Sequence, residues 1–555
     1  MFCIRKKNDI INSKSTYTGY LAIRAFFLMA VFIISVPGAK GQVESEGFKR
    51  AFDNIKQTVL KAQLGFLASD WTEGRMAGER GEYLAGDYIA SLLQLYGVKP
   101  GGDIITSRSS GGEAAAFGNS YFQNFVLIRT ESSNDHVMQI KSISGKTTET
   151  NVMSYNIDFY LRSPDSSIET EAPVVFAGYA FKSEKLRYDD FGKLDLKGKF
   201  ILRIAGYPPF ARKALSVSEL AECSRESERI IRSLGAAGII EFSPGRPVAG
   251  NPPLQEFLNL SPAERRPVPE AMYADYQLPS REAGNQILRF SVSEGTAAMI
   301  LDGSGIDAGE FVRRSESEPY QSSTEIKDKR IFIKTSVRKE AVRVRNIIGI
   351  IEGKDPDQYI VLGAHYDHMG ASGGYTWNGA DDNGSGTVGV LTLAKAIMET
   401  GVRPEKTIII ALWTAEEVGL LGSHYFVENL PYPRDRIKLN LNFDMISRYV
   451  ADDSPKKVTM TYTDSYPLFR NITEENLRKL GIDLDVDFQP SPDPPGGSDH
   501  RSFTEAGIPV MRFKPGHREE YHTPADEVST VDWDIMELLI KISFANTWHL
   551  ANNRW

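Results

Sequence analysis

Thr407-Ile408-Ile409-Ile410-Ala411-Leu412-Trp413-Thr414-Ala415-Glu416-Glu417 is an unbroken apolar run that ends in two adjacent acids. Without polar alternation, Thr407 to Trp413 reads as a strand buried on both faces, as in the middle of a parallel sheet. Two neighbouring carboxylates at the mouth of such a strand are costly to hold together unless a cation neutralises one. Adjacent side chains cannot easily serve the same metal, so the pair divides its work. Glu417 binds metal, and Glu416 faces a water as general base.

Outward from this strand, the chain after Ala341 alternates strand and helix as a doubly wound sheet does. Strands are expected over 346–351, 359–364, 407–413, 439–443 and 508–513, and helices over 387–399, 424–430, 468–480 and 533–550. The expected fold class is α/β: a mixed, largely parallel sheet flanked by helices. His365, Glu416, Glu417 and Asp444 then fall at or just past the C-terminal ends of strands, where open α/β sheets bind ligands.

The surrounding motifs supply the remaining donors that zinc prefers. His365, in Gly-Ala-His-Tyr-Asp-His, has Asp367 two residues on, close enough to accept the second imidazole N–H and fix the tautomer. Asp382, in Gly-Ala-Asp-Asp-Asn-Gly-Ser-Gly, sits in a turn where a carboxylate can offer one oxygen to each of two metals; Asp381-Asp382-Asn383 also reads as a helix N-cap. Asp444 follows Leu441-Asn442-Phe443. His522, in Tyr-His-Thr-Pro-Ala-Asp, closes the set, with Asp526 as its expected partner. His424 and His549 read as packing or surface residues, and His517 as solvated.

The rest of the chain has a different texture. Arg5, Lys6, Lys7 and Lys14 precede an apolar stretch from Ala25 to Val36 and the small residues after it, which reads as a signal peptide over residues 1–41. The stretch falls short of the ~20 residues that span a bilayer. An exported protein, periplasmic or secreted, with no stable membrane insertion after cleavage is therefore expected. Residues 42–157 read as lead-in helices and a loop: two helices between Gly47 and Tyr96, broken at 73–78, then a Gly-, Ser- and Ala-rich loop or lid from Pro100 to Gly118. Residues 158–336 read as short strands and loops forming a separate module, and 337–555 as the catalytic part. Removing residues 1–41 takes away six basic side chains and one acidic one and moves the formal charge from −8 to −13, which argues against nucleic acid as a partner. Only Cys223 then remains, so no disulfide can form within the chain.

Together the five motifs, including Ala-Glu-Glu-Val-Gly-Leu-Leu-Gly-Ser and Asn-Phe-Asp-Met, resemble the signature of the M28 family of zinc aminopeptidases, over about residues 341–555. Gly74-Arg75 and the helices around it resemble that family's N-terminal lead-in. Residues 158–336 are similar to the protease-associated domain, through the Phe-Ala-Gly-Tyr, Leu-Lys-Gly-Lys and Gly-Ala-Ala-Gly-Ile segments. The resemblance implies the zinc exopeptidase fold with an inserted β-rich protease-associated domain, and two Zn2+ ions per subunit. His365 and Asp444 would hold one ion, Glu417 and His522 the other, and Asp382 would bridge them. Glu416 would be the base, and the Asp382–Asn383 peptide is implied to be cis. Ser498-Asp499-His500 matches a segment lining the site, but the tyrosine that some members place just before it is absent from Pro492 to Gly497, which leaves the oxyanion donor open.

The implied substrates are peptides with a free N-terminus. A carboxypeptidase or dipeptidase on the same fold would need a cationic clamp, for which Arg448, Arg501, Arg512 and Arg518 are candidates. A glutaminyl cyclase would not need His365, and a non-enzymatic receptor would be expected to have lost ligands or base.

Overall fold

The computed structural model describes residues 46–108, 114–132, 135–162, 167–192, 194–245, 248, 274–280, 287–316, 319–449, 451–516 and 518–555. The expected signal peptide and His517 lie outside the described residues. Among the described residues no helix is long and apolar enough to cross a membrane.

The Lys406–Trp413 strand is buried at every position and lies inside a ten-stranded sheet. Its parallel neighbour is Asp355–His365, followed by Ile437–Phe443 and Val510–Lys514, also parallel. These four strands point their C-terminal ends the same way. They pack closely because Gly363 lacks a side chain: a Cβ there would lie 1.7 Å from the Trp413 ring. Antiparallel strands close both flanks, which makes the sheet mixed as expected. On one side these are Val337–Ile351, Phe122–Ser132 and Ala274–Gln277; on the other, Lys457–Thr463 runs antiparallel to Val510–Lys514 and carries Asp485–Ser491 at the edge.

Helices cover both faces. Glu46–Asp53, Gln57–Leu67, Arg80–Leu95, Gly386–Glu399, Leu468–Leu480 and Trp533–Asn552 bury their apolar stripes in one core with the sheet. Leu421–Glu428 and His500–Glu505 cover the other face through Phe426, Val427 and Phe503, against Trp413 and Val361.

Two expectations are revised. The lead-in holds three α-helices rather than two, because Lys56 adopts extended geometry (φ −133°, ψ 142°) at a point no glycine or proline marks. The expected break is present: Glu73 and Gly74 have non-helical backbone angles (φ 48° and 68°) in the Asp70–Arg75 segment, before the third of these helices. The expected 100–118 loop contains a paired hairpin, Ile104–Arg108 with Ala114–Asn119.

The middle of the chain builds a second sheet of eight strands around its own core, which includes Phe176, Phe200, Phe290 and Ile331. It takes Val137–Ser144 and Thr147–Met153 from ahead of residue 158, while Ala274–Gln277 leaves it to join the edge of the first sheet. Cys223, on the Val217–Ser233 helix, is half-buried and free.

Candidate metal centre

The parallel strands deliver the candidate ligands to one place. His365 is the last residue of its strand, Asp444 directly follows Phe443, and Glu416 and Glu417 lie three and four residues past Trp413. Positive φ angles at Ala415 (55°), Met445 (57°) and His522 (57°) mark the sharp turns that aim these segments inward.

Asp382 stands at the centre. Its Oδ1 lies 3.4 Å from Nε2 of His365 and its Oδ2 lies 3.0 Å from Nε2 of His522. His365 Nε2 is also 3.9 Å from Asp444 Oδ1 and 3.9 Å from Glu416 Oε2, while His522 Nε2 is 3.4 Å from Glu417 Oε2. Two ligands about 2.1 Å from one tetrahedral zinc stand roughly 3.3 Å apart, so these separations fit ions seated between them. Sets of potential ligand atoms lie within 4.8 Å of one another: His365, Asp382 and Asp444; His365, Glu416 and Glu417; His368, Asp382 and Glu417.

The scaffold of this cluster is polar and buried. The Asp382–Asn383 peptide is cis, as the resemblance implies. Asn383 donates from Nδ2 to the Phe443 carbonyl (2.9 Å) and accepts at Oδ1 from the N–H groups of Gly386 and Met445 (2.9 and 3.2 Å), tying the Asp382 turn to the Asp444 turn. Asp381 does not cap the helix. Its Oδ1 accepts from the Ser447 N–H (2.9 Å) and hydroxyl (2.7 Å) instead.

Two expected supporting roles change. The carboxylate of Asp367 accepts the backbone N–H groups of Glu416 (3.1 Å) and Glu417 (3.4 Å), while His365 Nδ1 lies nearer the Asp367 carbonyl (3.2 Å) than its carboxylate (3.7 Å). An anion facing two free N–H groups takes charge-assisted bonds there, so Asp367 shapes the Glu416–Glu417 turn rather than holding the imidazole through its carboxylate. Asp526 likewise accepts from the Asp381 and Asp382 N–H groups (2.9 and 3.0 Å) and does not partner His522.

Four residues join the site that motif reading did not place there. His368, 1% exposed, holds Nδ1 2.6 Å from Glu417 Oε1; it sits in the His365 motif, where the spacing was the available signal. Tyr521 stacks on His522 with ring centroids 3.7 Å apart, and burial together with Asp382 and Glu417 pushes its phenol pKa up. It is a phenol beside the centre, contributed from outside the Pro492 to Gly497 segment. Arg75 is buried and donates from Nε to the Tyr366 carbonyl (2.8 Å), from Nη1 to those of Leu67 (2.5 Å) and Asn378 (2.7 Å), and from Nη2 to Gly379 (3.0 Å). It thus clamps the His365 and Asp382 segments together. Glu82, fully buried on the Arg80–Leu95 helix, accepts from the Thr414 hydroxyl and the Gly78 N–H (2.6 Å for the latter) beneath the same turn.

The electrostatics fit cations. Burial, assisted by Glu417, Asp499 and Asp444 and opposed by His365, pushes the Glu416 carboxyl well above its usual range. His365 is held well above the usual imidazole value although its burial works the other way, because Glu416, Asp367, Asp382 and Asp444 surround it. A pocket with this excess of carboxylates is relieved by divalent ions.

Residues 346–546 match the model of peptidase family M28. The chain is 35% identical over 166 residues to Leupeptin-inactivating enzyme 1 of Streptomyces exfoliatus, covering 30% of this chain and 34% of that protein. It is 31% identical over 221 residues to the Glutamate carboxypeptidase 2 homolog of Caenorhabditis briggsae, covering 34% of this chain and 28% of that protein. The matched region spans about a third of the length of these curated relatives. In fold the chain is similar to an aminopeptidase from Aneurinibacillus sp. strain AM-1, with a TM-score of 0.56, 16% identity, and coverage of 91% of this chain and 96% of that one.

Proposed function

From the match of residues 346–546 to the model of peptidase family M28, we propose that this protein is an exported di-zinc metallopeptidase of that family that hydrolyses N-terminal residues from peptides. The observation that carries the reading is the Asp382 carboxylate, whose two oxygens each face a different histidine at 3.4 and 3.0 Å, the arrangement a bridging ligand requires. His365 and Asp444 would hold one zinc and Glu417 and His522 the other.

Zinc held there would supply the chemistry of a Lewis acid, acidifying a water and polarising the scissile carbonyl. The chain's own groups do the rest. Glu416, oriented by its N–H bond to Asp367, takes the proton of the attacking water and returns it to the leaving amine. The phenol of Tyr521, whose ring stacks on His522, would donate to the carbonyl oxygen as negative charge develops. The acidic surroundings of Glu416, Asp444 and Asp499 favour a substrate α-ammonium group. The basic, then apolar N-terminal segment supports export.

A carboxypeptidase reading is supported by Arg512, a buried cation near Asp444 and Glu416. One assay separates the two. Purified protein is offered aminoacyl fluorogenic amides and N-blocked counterparts, with chelator and with zinc returned. Cleavage of free-amine substrates alone, abolished by chelation and restored by zinc, is expected. Turnover confined to N-blocked peptides with a free carboxyl end would establish the carboxypeptidase instead.

A further inference from the structure

Among the described residues, the exposed large apolar side chains include three aromatic ones, Trp71 (77% exposed), Tyr375 (52%) and Tyr521 (39%), and the others are Leu, Ile, Val and Met. All three aromatic residues lie on segments that border the metal centre. Tyr521 stacks on His522 and has its part in the reaction already. Trp71 and Tyr375 have none. One exposed aromatic ring would need no explanation, but two on adjoining segments beside the same centre form a patch.

The backbone puts both residues there. Ala371–Ser372 and Tyr375–Thr376 pair across Gly373 and Gly374, whose φ angles of 60° and 84° give the two-residue turn that a tight hairpin requires. The Trp377 N–H donates to the Gly370 carbonyl (3.0 Å) and closes the base of this hairpin. The hairpin therefore follows directly on His368, whose Nδ1 lies 2.6 Å from Glu417, and leads into the turn that carries Asp382. The Asp70–Arg75 segment packs against the Tyr375–Thr376 strand. It is also tied to the foot of the hairpin: the N–H groups of His368 and Gly370 donate to the Arg75 and Gly74 carbonyls (3.0 and 2.9 Å), and Asn378 Nδ2 donates to Asp70 Oδ1 (2.9 Å). A Cβ at Gly74 would collide with the Gly370 carbonyl, so this approach depends on glycine. Trp71 and Tyr375 thus stand on two segments fixed to each other.

Asp382 divides the centre into two sides. His365, Asp444 and Glu416 lie on one, and His522, Glu417 and His368 on the other. In the peptidase reading the acids of the first side receive the α-ammonium group, so a peptide runs from its N-terminus across the centre toward the second. The residues after the cleaved bond then pass over the His368 side, where the hairpin stands. Resting on that reading, we propose that Trp71 and Tyr375 form a subsite for an apolar side chain of the residues that follow the cleaved bond. Each ring offers a large contact area with only two torsions to fix, and an apolar side chain laid against it removes surface from water on both partners.

The test uses the zinc-loaded full chain. Aminoacyl amides, which carry no residue beyond the cleaved bond, first show whether free-amine substrates are cleaved and which N-terminal residue is preferred. Three tetrapeptides with that residue follow: one with Phe directly after the cleaved bond, one with Phe a position further on, and one with Gly at both. At least one Phe peptide is expected to lead the Gly peptide in kcat/KM by about tenfold, what burying roughly two methylene groups is worth. Trp71→Ala combined with Tyr375→Ala is expected to bring that ratio close to one. Both side chains are exposed, so their loss leaves the cores intact. Ratios near one for both Phe peptides in the unmodified enzyme, or a preference that survives the double replacement, would overturn the subsite alone. Failure to cleave either amides or peptides would overturn the peptidase reading and the subsite with it.

Discussion

Glu416 and Glu417 are separated by one peptide bond, yet they face different partners: Glu416 stands 3.9 Å from His365, while Glu417 stands 2.6 Å from His368 and 3.4 Å from His522. Such a division predicts separable effects. Glu416→Gln removes the proton acceptor but leaves His365, Asp382, Glu417, Asp444 and His522 in place. Turnover should fall about 10²–10⁴-fold, while zinc content by elemental analysis stays near that of the unmodified protein. Loss of metal together with activity would show that Glu416 is a ligand. Arg75 makes the opposite case, because it touches no candidate ligand side chain and instead donates to three carbonyls of the segments that carry them, those of Tyr366, Asn378 and Gly379, and to that of Leu67. Arg75→Met strands those buried acceptors at roughly 1–3 kcal/mol each, so the urea midpoint should drop and zinc should bind more weakly. Unchanged zinc affinity in that variant would remove its positioning role. These two residues also mark the limit of what the chain reveals before folding. The ligands were legible because each follows a recognisable strand or turn. Asp367 reads as a partner of the His365 ring when only sequence neighbours are weighed, whereas the N–H groups that donate to its carboxylate come from 49 and 50 positions away.

At the scale of elements, the Arg80–Leu95 helix does more than cover the sheet. Its Glu82 is fully buried under the turn that carries Glu416, and burial, opposed by the bond from Thr414, pushes its carboxyl pKa up to about 8. The folded protein therefore retains a proton that the unfolded chain releases near the ordinary glutamate value. Stability from this group is complete below about pH 4.5 and is lost as pH rises toward 8, by an amount on the order of a few kcal/mol. Glu82→Gln should flatten that part of the stability–pH curve. Chemical denaturation from pH 5 to 9 would show it, and an unchanged slope would mean that Glu82 is already ionised in the fold. The helix itself was visible as an apolar stripe; its buried acid was not, since Glu82 acquires a partner 332 positions away only on folding. The central strands were equally plain because they are apolar throughout. The strands Lys457–Thr463 and Asp485–Ser491, the second of them at the edge, escaped notice for the complementary reason. The latter is largely exposed and contains Pro490, so it reads as loop. His500–Glu505 has only six residues, too few for a helical period to declare itself.

Over the whole molecule, the two large sheets among the described residues, of ten and eight strands, have apolar cores that share no side chain: one includes Phe48, Leu441 and Met511, the other Phe176, Phe290 and Ile331. The metal centre belongs to the first alone, since every candidate ligand lies on or just beyond its strands and their connecting turns. The sheets are linked by side chains as well as backbone: Val337 of the first sheet packs against the second core, and its N–H donates to the Ser167 hydroxyl (3.0 Å). The chain passes from Phe122–Ser132 to Val137–Ser144, returns with Ala274–Gln277, and crosses again between Thr324–Lys334 and Val337–Ile351. Separate cores joined by short links imply separable unfolding, and zinc provides the means to see it. A ligand that binds only the folded centre at a thousandfold its Kd stabilises it by about 4 kcal/mol. Calorimetry should therefore resolve a transition that zinc raises and chelation lowers, and a second that ignores both. Phe176→Ala, which removes a buried ring packed edge-on against Phe311 at 5.3 Å, should cost about 3–5 kcal/mol and lower only the second transition. A single transition moved by both zinc and Phe176→Ala would instead mean that the links transmit stability between the sheets. The second sheet would then be a structural part of the peptidase rather than a module attached to it.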